Sequence, residues 1–222
     1  MVLIERTFDA TNVILPYLFS QPGSHSAAVD GRMPLIFFLH GSAERGRDLN
    51  LIRDYGIPRA AQKFPDFPFF TLAPQCPAHA YWEDLDSVLF ALLDEVMARF
   101  PVDPARIYLT GLSMGGHGTW ILALEQPERF AALAPVCPPF PDFPKIEDRL
   151  AALKDKPTWV FHGAKDDVVP VQHSEAMVRA LRQINPQVRF TLYPETRHNA
   201  WVRAYADPAL YAWFLEQRLR GE

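Results

Sequence analysis

Arg106-Ile107-Tyr108-Leu109-Thr110-Gly111-Leu112-Ser113-Met114-Gly115-Gly116-His117-Gly118-Thr119-Trp120 is the stretch on which the fold turns. Arg106–Thr110 reads as a strand, and Gly115–Gln126, closed by Pro127, reads as a helix. Between them the chain reverses within a few residues. That is sterically allowed only if the apex residue takes a strained conformation and the residues two before and two after it are small. Gly111 and Gly115 meet the requirement, and Ser113 stands at the apex. A hydroxyl so placed projects at a helix N-terminus, where the dipole favours developing negative charge. The competing reading is a glycine-rich turn with an incidental serine. The strand before it and the helix after it favour the first.

Outward from this turn, short β-rich runs alternate with helical patterns. Val13–Phe19, Leu35–Leu39, Phe69–Ala73, Phe130–Val136, Thr158–Phe161 and Val188–Leu192 read as strands. Leu85–Phe100, Val171–Ile184 and Pro208–Leu219 read as helices, with Pro208 in a first turn. Continuous apolar strands such as Leu35–Leu39 are buried on both faces. The pattern predicts an α/β fold across residues 1–222: one domain, a mostly parallel sheet, helices on both faces, and no large lid. Only about 20 residues separate Val136 from Pro157, too few for an inserted domain. In such sheets ligands bind at the carboxyl ends of the strands.

A serine hydroxyl needs a base to take its proton. His198 follows the last strand and is the candidate base; Asp166, in the loop after Thr158–Phe161, is the candidate acid that orients it. Asp167 competes with Asp166, and the spacing to Val169-Pro170 favours Asp166. His40 and His162 precede glycines at strand ends and are expected to stiffen loops, while His173 lies in a helical stretch. The loop Leu39-His40-Gly41-Ser42 follows a central strand. The backbone N–H groups of Ser42 and Met114 are the candidate oxyanion donors. Glu44 and Arg45 are expected to hold that loop.

The chain has 222 residues, 22 basic and 26 acidic, for a net charge of −4. No basic cluster supports nucleic-acid binding, and no apolar run is long enough to span a bilayer. Met1–Asp9 carries Glu5, Arg6 and Asp9, so no secretory leader is expected, and the location is expected to be cytoplasmic. Cys76 and Cys137 are too few for a disulfide framework or a four-ligand zinc site and are expected to be free thiols. Prolines number 21 against 11 glycines. Many fall at element ends, and five lie within Pro135–Pro144, beside Phe140 and Phe143, where they are read as a stiff aromatic wall.

Taken together, LPYLFSQP (15–22), LIFFLHGSAERGRDL (35–49), YWED (81–84), GLSMGGHGTW (111–120), HGAKDDVVPVQHS (162–174) and YPETRHNAWVRAY (193–205) resemble the small carboxylesterases of the α/β-hydrolase superfamily. That group includes phospholipase/carboxylesterase, dienelactone-hydrolase-like and peptidase-like proteins. The resemblance implies Ser113, Asp166 and His198 as the catalytic triad and no metal or cofactor. Dienelactone hydrolases proper carry cysteine at the elbow, so Ser113 implies ester hydrolysis instead of that specialised reaction.

The expected function is therefore hydrolysis of small to medium soluble carboxylic esters through an acyl-enzyme. A peptidase or thioesterase with the same triad is the alternative, and a non-catalytic binding protein on this fold is a further one. The expected partner is a small-molecule ester. Tyr81, Trp82, His117, Phe140, Phe143 and Trp201 fall in or beside loops at the active end and are candidates for the substrate pocket. Trp82 and Trp201 have the alternative of covering the core.

Overall fold

The computed structural model describes residues 2–10, 13–64, 66–141 and 146–219, with backbone alone at 147 and 148. The chain order is β1 (Leu3–Ala10), β2 (Val13–Ser20), β3 (Met33–Leu39), α1 (Asn50–Arg53), α2 (Gly56–Lys63) and β4 (Phe70–Pro74). There follow α3 (Asp86–Arg99), β5 (Val102–Leu112), α4 (Met114–Glu125), β6 (Ala132–Val136), α5 (Ile146–Leu150) and β7 (Trp159–Gly163). The chain closes with α6 (Gln172–Arg182), β8 (Arg189–Tyr193), α7 (Trp201–Ala204) and α8 (Pro208–Leu215).

The strands form one eight-stranded sheet in the order β1-β2-β4-β3-β5-β6-β7-β8. β1 and β2 pair antiparallel, as do β2 and β4; all other pairs are parallel. Strand β3 shows why both faces carry helices. Its Met33, Leu35, Phe37 and Leu39 pack into one apolar cluster with Leu89, Leu92 and Leu93 of α3 and Met177 and Leu181 of α6. Its alternate residues Ile36 and Phe38 pack into a second, with Ile57, Ala60 and Ala61 of α2 and Leu210 and Phe214 of α8. A strand of period two buried on both sides needs such a double supply of apolar partners. The expected mostly parallel α/β sheet is the one observed.

Strand β1 and helix α2 were not among the sequence expectations. β1 alternates buried and exposed residues along a sheet edge, so half of it is polar. α2 contains Pro58, which acts as a breaker in a helix interior but fits the first turn it occupies here. Asp207 caps α8, its carboxylate accepting from the Ala209 N–H at 2.9 Å, with Pro208 at the first helical position. Between β6 and β7 the described residues hold only α5 and a short 3₁₀ turn, with no inserted lid domain. No helix among the described residues is long and apolar enough to cross a membrane.

Candidate active site

The turn from β5 into α4 has the strain the sequence demands. Ser113 has φ 52° and ψ −116°, in the positive-φ region that side chains avoid. Its N–H donates to the Val136 carbonyl at 2.9 Å, which ties the apex to β6. A Cβ on Gly111 would lie 2.2 Å from the Gly115 carbonyl oxygen, and one on Gly115 would lie 2.0 Å from that of Leu39. Both positions therefore require glycine.

Ser113, His198 and Asp166 are hydrogen-bonded in line. Ser113 Oγ lies 2.9 Å from His198 Nε2, and His198 Nδ1 lies 2.8 Å from Asp166 Oδ2. The carboxylate can only accept, so Nδ1 donates to it and Nε2 accepts from the hydroxyl. Asp166 Oδ1 accepts the backbone N–H groups of Val168 and Val169, each at 2.9 Å. The Asp166 side chain is fully buried. Asp167 points out and pairs with Arg197 at 2.8 Å.

The loop after β3 is held from several sides. His40 Nδ1 donates to the Gly41 carbonyl at 2.6 Å, and its Nε2 accepts the Cys76 N–H at 2.9 Å. Burial lowers the His40 pKa to about 4, so the ring is a neutral strut. Arg45 donates to the carbonyls of Ser42 and Ala80 and lies over the Tyr81 ring. Glu44 is buried, and burial raises its pKa against the hydrogen bonds it receives from backbone. Both residues hold the loop, as expected. Ser42 opens a 3₁₀ turn after Gly41, and Met114 is the first residue of α4. A first-turn N–H has no carbonyl partner within its own helix.

The pocket candidates divide. Trp82 is a correction: it is completely buried, with Nε1–H donating to the His40 carbonyl at 3.0 Å. It supports the loop from beneath and lines no open space. Tyr81 is exposed beside Arg45. His117 lies 3.8 Å from Glu83, and burial lowers its pKa against that carboxylate. Phe140 is half-buried; its N–H donates to His173 Nδ1, and its ring packs on the core. Phe143 and Pro144 lie outside the described residues, while Pro135, Pro138 and Pro141 are buried and Pro139 is half-buried. Trp201 meets His198 edge to face at 5.4 Å between ring centroids. It also lines a cavity of about 350 Å³ between α2 and α7, with Tyr55, Phe64 and Tyr205.

Two contacts were not expected. His162 does more than stiffen a loop: its Nε2 lies 3.1 Å from Asp166 Oδ2. The Cys137 thiol, buried at a residue with φ 40°, lies 3.4 Å from the His198 carbonyl. The pattern His-x-x-x-Asp in one turn was a usable signal for the first. Backbone strain at Cys137 left none. Both cysteines are buried and unpaired. Among the described residues, Cys137, Asp166 and His198 form the one cluster with metal-ligand reach. Both His198 ring nitrogens are already engaged within it.

A stretch of 74 residues is 40% identical to S-formylglutathione hydrolase of Rattus norvegicus, covering 32% of this chain and 26% of that protein. The crystal structure of a thermostable esterase superposes with a TM-score of 0.81 at 33% identity, over 97% of this chain and 63% of that one. Est1E from Butyrivibrio proteoclasticus shares the fold with a TM-score of 0.72 at 16% identity, over 96% and 98% of the two chains. The sequence profile of the dienelactone hydrolase family matches residues 78–209. That span is more than half of the chain and carries the elbow, the buried aspartate and the histidine, and the chain belongs to the dienelactone hydrolase family.

Proposed function

We propose that the chain is a carboxylesterase-type serine hydrolase working through an acyl-enzyme. The observation that carries this reading is the unbroken hydrogen-bond line Ser113–His198–Asp166, with a strained serine at its open end. Ser113 Oγ attacks the ester carbonyl while His198 Nε2 takes its proton. The tetrahedral oxyanion is received by the amides of Ser42 and Met114. His198 returns the proton to the leaving alcohol, and a water activated by the same nitrogen releases the acid. Asp166 stays ionised throughout and stabilises the imidazolium. With serine and not cysteine at the elbow, the chain is assigned to simple esters.

The substrate is a small soluble ester. The lack of an inserted lid among the described residues supports this. The similarity to rat S-formylglutathione hydrolase favours acyl thioesters as the second reading. Two buried, unpaired thiols support work in a reducing cytoplasm.

The test is hydrolysis of p-nitrophenyl acetate and butyrate, S-formylglutathione and a peptide anilide by wild type and Ser113→Ala. Esters are expected to be preferred, and the variant to lose at least about a thousandfold. A fluorophosphonate should label Ser113. Retained activity in the variant, or labelling elsewhere, overturns the assignment.

A further inference from the structure

The carboxylate of Asp166 is engaged at both of its oxygens. Oδ1 takes two backbone N–H groups of its own loop. Oδ2 takes the hydrogen bond of His198 Nδ1 at 2.8 Å and lies 3.1 Å from His162 Nε2. His162 is fully buried at the end of β7. Its Nε2 also lies 2.9 Å from the Val169 carbonyl. A carbonyl and a carboxylate both only accept, so Nε2 carries the hydrogen. The other ring nitrogen lies 2.7 Å from the Ser174 hydroxyl, buried in the first turn of α6. Burial lowers the His162 pKa, so the ring is neutral and Nδ1 accepts from Ser174.

We infer that His162 is a positioning residue for the triad: its Nε2–H, bonded to the Val169 carbonyl and 3.1 Å from Asp166 Oδ2, holds the Asp166 turn against His198, and the Ser174 hydroxyl fixes its tautomer. The inference rests on the triad reading. Backbone amides restrain Oδ1 alone. The oxygen that meets His198 is approached by two imidazole nitrogens, one from β7 and one from the loop after β8. The other polar groups near this oxygen leave the task to His162. Cys137 Sγ is directed to the His198 carbonyl, while Asp167–Arg197 and Lys165–Glu195 pair on the exposed side of the loop.

The test compares His162→Phe, His162→Gln and Ser174→Ala with wild type in kcat, KM and pH profile on p-nitrophenyl acetate. His162→Phe removes the donor. Its kcat should fall about tenfold or more, with KM within about twofold. The acid limb of kcat/KM should move to higher pH, because the less solvated carboxylate holds the imidazolium proton more tightly. His162→Gln retains an N–H near the Nε2 position and should restore most of kcat and the wild-type limb. Ser174→Ala should move both in the direction of His162→Phe by less, and it carries the test if His162→Phe does not fold. In wild type at pH 8, nitrogen NMR should show His162 as the neutral Nε2–H tautomer. Unchanged kcat and acid limb in the variants, a fall in kcat with the limb unmoved, or the Nδ1–H tautomer each overturns the inference. If Ser113→Ala is active, the triad reading itself falls; if it is inactive and His162→Phe behaves as wild type, only the role of His162 falls.

Discussion

Asp166 and Asp167 are neighbours in sequence with opposite environments. One carboxylate is buried and accepts from two backbone amides and His198; the other faces solvent and holds Arg197. Asp166→Asn should lower kcat/KM by about 10⁴, the scale of losing the orienting acid. Asp167→Asn should change it less than about twofold, since an exposed pair contributes little. Steady-state kinetics on p-nitrophenyl acetate check both, and the reverse order would exchange their roles. Chain order and the following Val-Val-Pro were enough to single out Asp166. The spacing of His162 and Asp166 signalled that they share one turn; which oxygen His162 approaches depends on how tightly the turn after β7 closes. Trp82 was equally opaque: an aromatic in a loop reads as pocket lining until a buried carbonyl is seen to accept its N–H.

At the scale of elements, β5 does two jobs. Its C-terminal end presents Ser113, and its N-terminal end is anchored by a buried cation. Arg106 donates to Asp103 at 2.7 Å and to the carbonyls of Ala27 and Arg32. Burial alone would raise the Asp103 pKa; the hydrogen bond and charge of Arg106 overcome it and hold the group below its ordinary value. Arg106→Met leaves that carboxylate buried with only exposed Arg218 as a charged partner. The loss should be roughly 3 kcal/mol, as for a broken buried pair. A lower urea midpoint at unchanged slope would register it. The strand's interior was legible from its apolar run. Its extension back to Val102 was not, since Asp103 and Pro104 read as loop. β1 and α2 were hidden in the same way: edge position makes one half polar, and Pro58 disguises a first turn.

For the whole molecule, two neutral histidines lie in the interior, His40 at the end of β3 and His162 at the end of β7. Both have pKa values lowered by burial, His40 to about 4. The unfolded chain protonates them near the ordinary value while the folded chain does not. Unfolding on the acid side therefore takes up protons, and stability falls as pH drops from about 6.5 towards 4. Each histidine contributes a slope of up to ~1.4 kcal/mol per pH unit. Chemical denaturation at pH 7, 6 and 5 should show this decline, and His162→Gln should make it shallower. The alternation of strands and helices made the architecture readable throughout, because doubly buried strands leave continuous apolar runs. The sheet order has one more consequence, for assembly. Ser113 holds its unfavourable backbone only while its N–H is docked on β6, and His198 reaches it from beyond β8 at the far edge. The proposed nucleophile is thus cocked by contacts distant in sequence. During refolding, tryptophan burial can precede this registration, so recovered turnover reports completion of the fold more strictly than recovered fluorescence.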